Sequence, residues 1–143
     1  MTFKQAVVTV LRDKYFSIEG RAPRSEYWYF WLFFLLVSIA LNPIDSILFA
    51  SSGINPLSAL FTLLTFIPFF TLAVRRLHDR DLSGWWLLLM IVPVIGSIAL
   101  IVIYMMRGTP GPNTFGPDPL DHDLTDWNDD DVSPTSIPRV DRE

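Results

Sequence analysis

The sequence predicts an all-α membrane protein with an N-terminal amphipathic helix, a three-helix transmembrane bundle and a flexible acidic C-terminal tail. Half of the 143 residues are hydrophobic and only 18% are charged. The apolar residues are gathered into three long uncharged blocks, and blocks of this length are typical of helices that have lipid as their solvent. The chain has no cysteine, which excludes disulfides, thiolate metal sites and cysteine nucleophiles.

The first sixteen residues predict a helix over 2–16 that lies in the membrane interface. Its apolar positions recur at helical spacing on one face: Phe3, Val7, Val10 and Leu11. Arg12 interrupts the apolar run too early for a signal peptide. The alternative is an amphipathic helix docked on the protein's own surface, and the sequence leaves both arrangements open.

Three apolar segments predict membrane-spanning helices at about 27–47, 57–74 and 85–106, and the first of them is uncharged as far as Asp45. A helix of about 20 residues crosses the roughly 30 Å hydrocarbon core, because each residue advances it by about 1.5 Å. Aromatic side chains at the ends of spans concentrate at the lipid interface. We therefore expect three tryptophans to act as interface anchors: Trp28, Trp85 and Trp86.

The stretch after the third segment predicts two further regions. Residues 107–119 are rich in proline and glycine, which predicts a series of turns. Residues 120–143 are dense in aspartate and have little to bury, which predicts a disordered acidic tail. The predicted division is therefore a membrane domain over 1–119 and a tail over 120–143.

The distribution of lysine and arginine predicts an orientation. Five lie before the first span, none between the first and second, three between the second and third, and one just after the third. A cytoplasmic N-terminus puts eight of these inside and one outside, as the positive-inside rule favours. We therefore expect the N-terminus and the loop 75–84 in the cytoplasm and the C-terminus outside.

Under this topology two charged motifs meet at one membrane face, and together they predict a polar cluster. Its members are Arg21, Arg24, Glu26, Arg75, Arg76, His78 and Asp79. Charges at the edge of hydrocarbon are costly unless they are paired, so we expect Glu26 to pair with Arg75 or Arg76. A helical continuation of the second span would also place Arg75 and Asp79 in an attractive i,i+4 pair. The alternative is that each side chain extends independently to the head groups.

The polar cluster predicts a non-enzymatic membrane module that binds anionic phospholipid head groups or a partner membrane protein. Phosphate-loop, zinc-protease and serine-hydrolase motifs are missing, and His78 with Asp79 supplies at most two metal ligands. We therefore expect no catalytic site, metal or cofactor. No basic stripe with interleaved aromatics occurs, so we expect no nucleic-acid partner.

Three alternatives stay open for this membrane protein. It could be a subunit of an oligomeric transporter or channel, since three spans are too few for an inverted-repeat transporter alone. A membrane enzyme that uses His78 and Asp79 on a lipid substrate is the less favoured alternative. The chain could also form a homo-oligomer.

Four ordered motifs resemble the YhaH-like family of small bacterial inner-membrane proteins, a domain-of-unknown-function family. The motifs are GRAPRSEYW, RRLHDRDLSGWW, IVPVIG and GTPGPNTFGPDP, and the resemblance covers about residues 12–119. It implies a multi-pass protein of the bacterial cytoplasmic membrane and no established activity. The residues that match the motifs are Gly20, Arg21, Arg24, Glu26, Trp28, Arg75, Arg76, His78, Asp79, Ser83, Gly84, Trp85, Trp86, Asn113, Phe115, Gly116 and Pro119.

This chain departs from the family pattern in two places. Arg80 and Asp81 stand where a glycine or threonine is usual after the His-Asp pair. The acidic tail beyond Pro119 looks like an addition to the family's domain.

Overall fold

The computed structural model describes residues 1–51 and 53–120, and every regular element in this part of the chain is a helix. The α-helices are α1 (Phe3–Val8), α2 (Arg24–Leu48), α3 (Pro56–His78) and α4 (Pro93–Met105). A π-helical turn, Thr9–Asp13, extends α1, and a 3-10 helix, Gly84–Ile91, precedes α4. The predicted disordered tail lies outside the described residues, apart from Leu120.

Helices α2 and α3 form an antiparallel hairpin. They contain 25 and 23 residues, and both are long and apolar enough to cross a membrane. The first two predicted spans, 27–47 and 57–74, each lie within one of these helices. Asp45 joins the two helices at the far end of the hairpin, because its carboxylate accepts hydrogen bonds from Leu57 N at 3.0 Å and Ser58 N at 2.8 Å. These bonds satisfy free amides at the start of α3.

The N-terminal helix packs on this hairpin. Ala6 and Val10 are fully buried, and the Phe3 ring meets the Tyr29 ring edge-on with centroids 6.1 Å apart. The helix covers residues 3–13 instead of the predicted 2–16. The docked arrangement is therefore observed, and contact with the lipid interface stays a prediction.

The third apolar segment is not one continuous helix. A 3-10 helix ends at Ile91, Val92 is extended with φ −95° and ψ 95°, and α4 begins at Pro93. The prediction of a single helix over 85–106 is wrong. Pro93 contributes to the break, because it has no N–H to donate and its ring disfavours a helical conformation at the residue before it. Gly96 also contributes, because its backbone packs against Leu89. A third membrane-crossing helix is therefore not confirmed.

The C-terminal segment, residues 107–120, returns to the end of α3. Thr109 N donates to the Asp79 carbonyl at 2.9 Å, and Asn113 Nδ2 donates to the His78 carbonyl at 2.9 Å. Residues 107–120 therefore lie at the same end of the molecule as the loop 75–84, and the expected orientation of the two termini across the membrane stays a prediction. The length of an apolar block does not distinguish one spanning helix from two shorter limbs that fold back on each other.

The buried core occupies one end of the hairpin, where α2, α3 and α4 meet. Its largest members are aromatic and aliphatic side chains: Tyr27, Phe30, Leu72, Leu77, Leu100 and Tyr104. Away from this core the apolar side chains face outwards, as shown by Leu63 at 70% exposure and Ile95 at 74%. Apolar patches of such extent mark a protein–protein or membrane surface, and lipid is the solvent that suits them.

Candidate functional site

Glu26 and Arg75 form a buried ion pair between α2 and α3. Arg75 Nη1 lies 2.7 Å from Glu26 Oε1, with the two side chains 0% and 4% exposed. The predicted pairing of Glu26 is confirmed with Arg75 as its partner. Glu26 lies in the first turn of α2, where the positive end of the helix dipole favours a carboxylate.

Asp79 lies between two other guanidinium groups. Arg21 Nε donates to Asp79 Oδ1 at 3.0 Å, and Arg76 Nη1 donates to Asp79 Oδ2. The predicted i,i+4 pair of Arg75 with Asp79 is wrong, since Arg75 is directed across to Glu26 of α2 and Asp79 is the capping residue that follows the end of α3. We name these five side chains the buried ionic network: Arg21, Glu26, Arg75, Arg76 and Asp79.

The arginines of the network also donate hydrogen bonds to backbone carbonyl groups at the C-terminal end of α4 and in the segment that follows it. Arg76 donates to the carbonyls of Tyr104, at 3.2 Å, and of Met106. Arg21 donates to the carbonyls of Thr109 and Gly111, each at 2.6 Å. Carbonyls at a helix C-terminus have no partner within the helix, and these guanidinium groups supply one. Three stretches that are distant in sequence are thereby held together at one end of the molecule.

Gly108 is a member of this site that the sequence did not single out. A Cβ atom at this position would overlap the Asp79 carboxylate, so the backbone of the C-terminal segment can approach Asp79 closely only with glycine here. The neighbouring Thr109 donates to the Asp79 carbonyl. The glycines and prolines of the GTPGPNTFGPDP motif indicated turns in this segment. The predicted topology assigned the motif to the other membrane face, so its contact with Asp79 was not predicted.

His78 lies beside the network and has a different set of partners from Asp79. Its ring stacks on the Phe115 ring with centroids 3.9 Å apart and planes 5° apart. Its Nδ1 atom lies 3.3 Å from the Gly20 carbonyl oxygen. These contacts tie the C-terminal segment to the N-terminal motif, which is a structural role for the histidine.

Arg24 differs from the other members of the predicted cluster because it is exposed. Its Nη1 atom donates to the Met105 carbonyl at 2.8 Å. An open groove of about 360 Å³ lies beside it, and its lining residues are Arg24, Ser25, Trp28, Tyr29 and Met105. Polar, aromatic and apolar groups thus meet at the end of the α2–α3 hairpin where α2 begins.

The three predicted anchors lie at this same end of the molecule. Trp28 lines the groove, and Trp85 and Trp86 begin the 3-10 helix with 76% and 45% of their surface exposed. Their role as interface anchors stays a prediction. Within residues 1–51 and 53–120, no group of three or more histidine, aspartate or glutamate side chains is placed to hold a metal ion.

Comparison with known proteins relates this site to a family. The family described as "Protein of unknown function (DUF805)" matches residues 15–117. Inner membrane protein YhaH of Escherichia coli K12 is 41% identical over 107 residues, which cover 73% of this chain and 88% of the relative. Inner membrane protein YhaI of the same organism is 44% identical over 115 residues, which cover 80% and 95%. No solved structure matches the chain.

The matched region contains every member of the buried ionic network, as well as His78, Arg24 and Gly108. It ends at residue 117 and leaves the acidic tail outside. The match covers well over half of the chain, and the chain therefore belongs to the DUF805 family.

Proposed function

We propose that this chain is a multi-pass protein of the bacterial inner membrane and acts as a non-enzymatic module that binds anionic phospholipid head groups at its cytoplasmic face. The similarity to YhaH and YhaI, which are both named as inner membrane proteins, supports the location. The length and apolar character of α2 and α3 support the multi-pass arrangement. A cytoplasmic N-terminus is part of the proposal, because five basic residues precede α2 or open it.

The groove at Arg24 is the observation that carries the proposal. A guanidinium group presents several donors in a plane and suits the oxygens of a phosphate. Trp28 and Tyr29 supply the aromatic rings that concentrate at head-group depth. Arg24 and Ser25 also open α2, whose N-terminal dipole favours an anion.

The buried arginines support this site instead of binding lipid themselves. Arg21, Arg75 and Arg76 are at most 1% exposed and are already paired with carboxylates. Arg76 holds the carbonyls on both sides of Met105, which forms a wall of the groove. We therefore propose that Arg24 is the one member of the predicted cluster that binds lipid. The buried ionic network holds the groove around Arg24 in place.

Native mass spectrometry of the protein purified from bacterial membranes tests this function. The wild-type protein is expected to retain anionic phosphatidylglycerol in preference to zwitterionic phosphatidylethanolamine. Arg24→Gln is expected to lower that preference about fivefold, since a basic residue at an anionic surface contributes about 1 kcal/mol. The matched control is Arg12→Gln, which removes another exposed basic group outside the groove.

Equal lipid preference in the wild-type protein and Arg24→Gln would contradict the proposal. Loss of a co-purified membrane protein in Arg24→Gln, with the lipid preference unchanged, would instead indicate the protein-partner alternative. The same spectra report the mass of the assembly, and they would reveal the homo-oligomer that a transporter or channel subunit requires.

A further inference from the structure

We propose that the third apolar segment, Gly84–Met105, is a re-entrant hairpin that enters and leaves the bilayer through the same leaflet. It would contact the acyl chains of that leaflet alone and return the chain to the membrane face it had left. This inference does not depend on lipid binding in the Arg24 groove.

The segment begins beside the C-terminal end of α3. Leu82 N donates to the Leu77 carbonyl at 3.0 Å, so the chain turns back immediately after α3. At Gly84 a Cβ atom would lie 3.1 Å from a methyl group of Val74, which is about one helical turn before the end of α3. The first limb of the hairpin therefore starts at the membrane face where α3 ends.

The segment also ends there. Arg76, in the last turn of α3, donates to the carbonyls of Tyr104 and Met106. Thr109 N then donates to the Asp79 carbonyl at 2.9 Å. The two ends of the segment are thus held at one end of the α2–α3 hairpin.

Between these ends the chain reverses at Val92 and Pro93. Val92 N donates to the Leu89 carbonyl at 3.0 Å, and Gly96 N donates to the Val92 carbonyl at 2.9 Å. These bonds matter because irregular backbone in hydrocarbon is costly unless its polar groups are paired. Gly96 allows the two limbs to meet, since a Cβ atom there would overlap the Leu89 carbonyl group.

The lengths of the two limbs fit a hairpin and do not fit a span. The first limb has 8 residues in a 3-10 helix, which rises about 2.0 Å per residue and is therefore about 16 Å long. The second has 13 residues in an α-helix and is about 20 Å long. Each is well short of the roughly 30 Å hydrocarbon core.

The outer surface of the hairpin is apolar along both limbs and at the tip. The most exposed side chains are Trp85, Ile91, Val94 and Ile95, each at least 70% exposed. Acyl chains are the partner that such a surface fits, because Ile91, Val94 and Ile95 carry no polar side-chain group, and Trp85 lies at the start of the hairpin where an indole N–H can reach the head groups.

The charge distribution agrees with a hairpin better than with a third span. A hairpin puts all nine lysines and arginines of residues 1–120 at one face, because the link 49–55 contains none. A third span would leave Arg107 at the other face. The positive-inside rule then assigns the face with the nine basic residues to the cytoplasm.

Cysteine accessibility tests the hairpin cleanly because the chain has no cysteine of its own. Single cysteines are introduced as Ser51→Cys in the α2–α3 link, Arg80→Cys after α3, and Thr114→Cys after α4. Spheroplasts are treated with a membrane-impermeant maleimide before and after permeabilisation. Lys4→Cys provides a second marker for the face of Arg80 if Arg80→Cys fails to accumulate.

We expect Ser51→Cys to react in intact spheroplasts and both Arg80→Cys and Thr114→Cys to react only after permeabilisation. Labelling of Thr114→Cys together with Ser51→Cys, and not with Arg80→Cys, would overturn the hairpin. The labelling reports only on which side of the membrane each cysteine lies. It can therefore contradict the hairpin while the lipid preference due to Arg24 persists, and it can support the hairpin when that preference is absent.

Discussion

Asp79→Asn is expected to destabilise the protein strongly, because this carboxylate is the nearest counter-charge of two buried guanidinium groups, and Asp118 lies only at 4.0 Å from one of them. Arg21 and Arg76 are 1% and 0% exposed, and the Asp79 side chain is 4% exposed. Asparagine keeps the shape of the side chain but removes its charge. It also has one acceptor oxygen where two are used, so one guanidinium group would face an amide NH₂ group.

The size of the effect follows from the burial of these groups. Removing one partner from a buried ion pair costs about 3–5 kcal/mol. Because the asparagine oxygen can still accept one hydrogen bond, we expect about 3 kcal/mol, or a change of roughly 100-fold in the unfolding equilibrium. That is a large part of the 5–15 kcal/mol that is typical of folded domains.

Asp81→Asn is the matched control for this experiment. Asp81 is exposed, and its Oδ1 atom accepts a single hydrogen bond from Thr114 N at 3.1 Å. Its φ of 58° is also one that asparagine tolerates. We expect a change within about 0.5 kcal/mol, as is usual for surface substitutions. Both variants are unfolded with dodecyl sulfate in mixed micelles and followed by tryptophan fluorescence; equal stability of the two would refute the role assigned to Asp79.

Three further sets of substitutions test the contacts around the network and the hairpin. Glu26→Arg and Arg75→Glu are each expected to lower the abundance of the protein in membranes, and the double variant is expected to recover part of it because the pair is re-formed with opposite polarity. His78→Phe should retain the stack on Phe115 and nearly the wild-type melting temperature, whereas His78→Ala should lose roughly 1 kcal/mol for the aromatic pair. Gly96→Ala should lower the melting temperature strongly, because the added methyl group would overlap a backbone carbonyl that cannot rotate away.

Each of these expectations has a result that contradicts it. A double variant no more abundant than either single variant would favour independent extension of Glu26 and Arg75 to the head groups. Equal melting temperatures for His78→Phe and His78→Ala would remove the stacking role. For the hairpin, the control is Ser97→Ala, which removes only the hydroxyl that donates to the Pro93 carbonyl and adds no atom between the limbs. A Gly96→Ala protein as stable as this control would show that the limbs are not in contact.

The sequence predicted the α2–α3 hairpin because length and absence of charge are direct signals of a membrane-crossing helix. The pairing of Glu26 with Arg75 or Arg76 followed from it, since the ends of antiparallel helices that share a membrane face must be neighbours, and the structure selects Arg75. Neither inference required knowledge of side-chain packing.

The break in the third apolar segment could not be predicted from proline alone. Pro43 lies inside α2 and Pro68 inside α3, yet Pro93 begins a helix. All three stand in apolar blocks. What differs is the glycine three residues after Pro93, which lets the backbone of Gly96 pack against Leu89 and so favours reversal over continuation.

The position of the C-terminal segment was not predicted, because the break in the third apolar segment was not predicted. The predicted topology placed residues 107–119 at the other membrane face, so their carbonyl groups were not considered as partners of Arg21 and Arg76. Asp79 was therefore predicted to pair with Arg75. The actual partners of these arginines depend on long-range contacts that appear only when the chain returns to the end of α3.

The re-entrant hairpin requires that the loop after α3 and the segment after α4 lie together at one membrane face. Cross-linking of the double variant Asp81→Cys, Thr114→Cys in native membranes tests it most directly, because both residues are exposed and Thr114 N lies 3.1 Å from Asp81 Oδ1. A short bis-maleimide is expected to link these two cysteines and not the pair Asp81→Cys, Ser51→Cys, whose positions are separated by the length of α3. A third span would hold the two cysteines of the first pair about 30 Å apart. If each of them reacts with a monofunctional maleimide but the two are never linked, the re-entrant hairpin is contradicted.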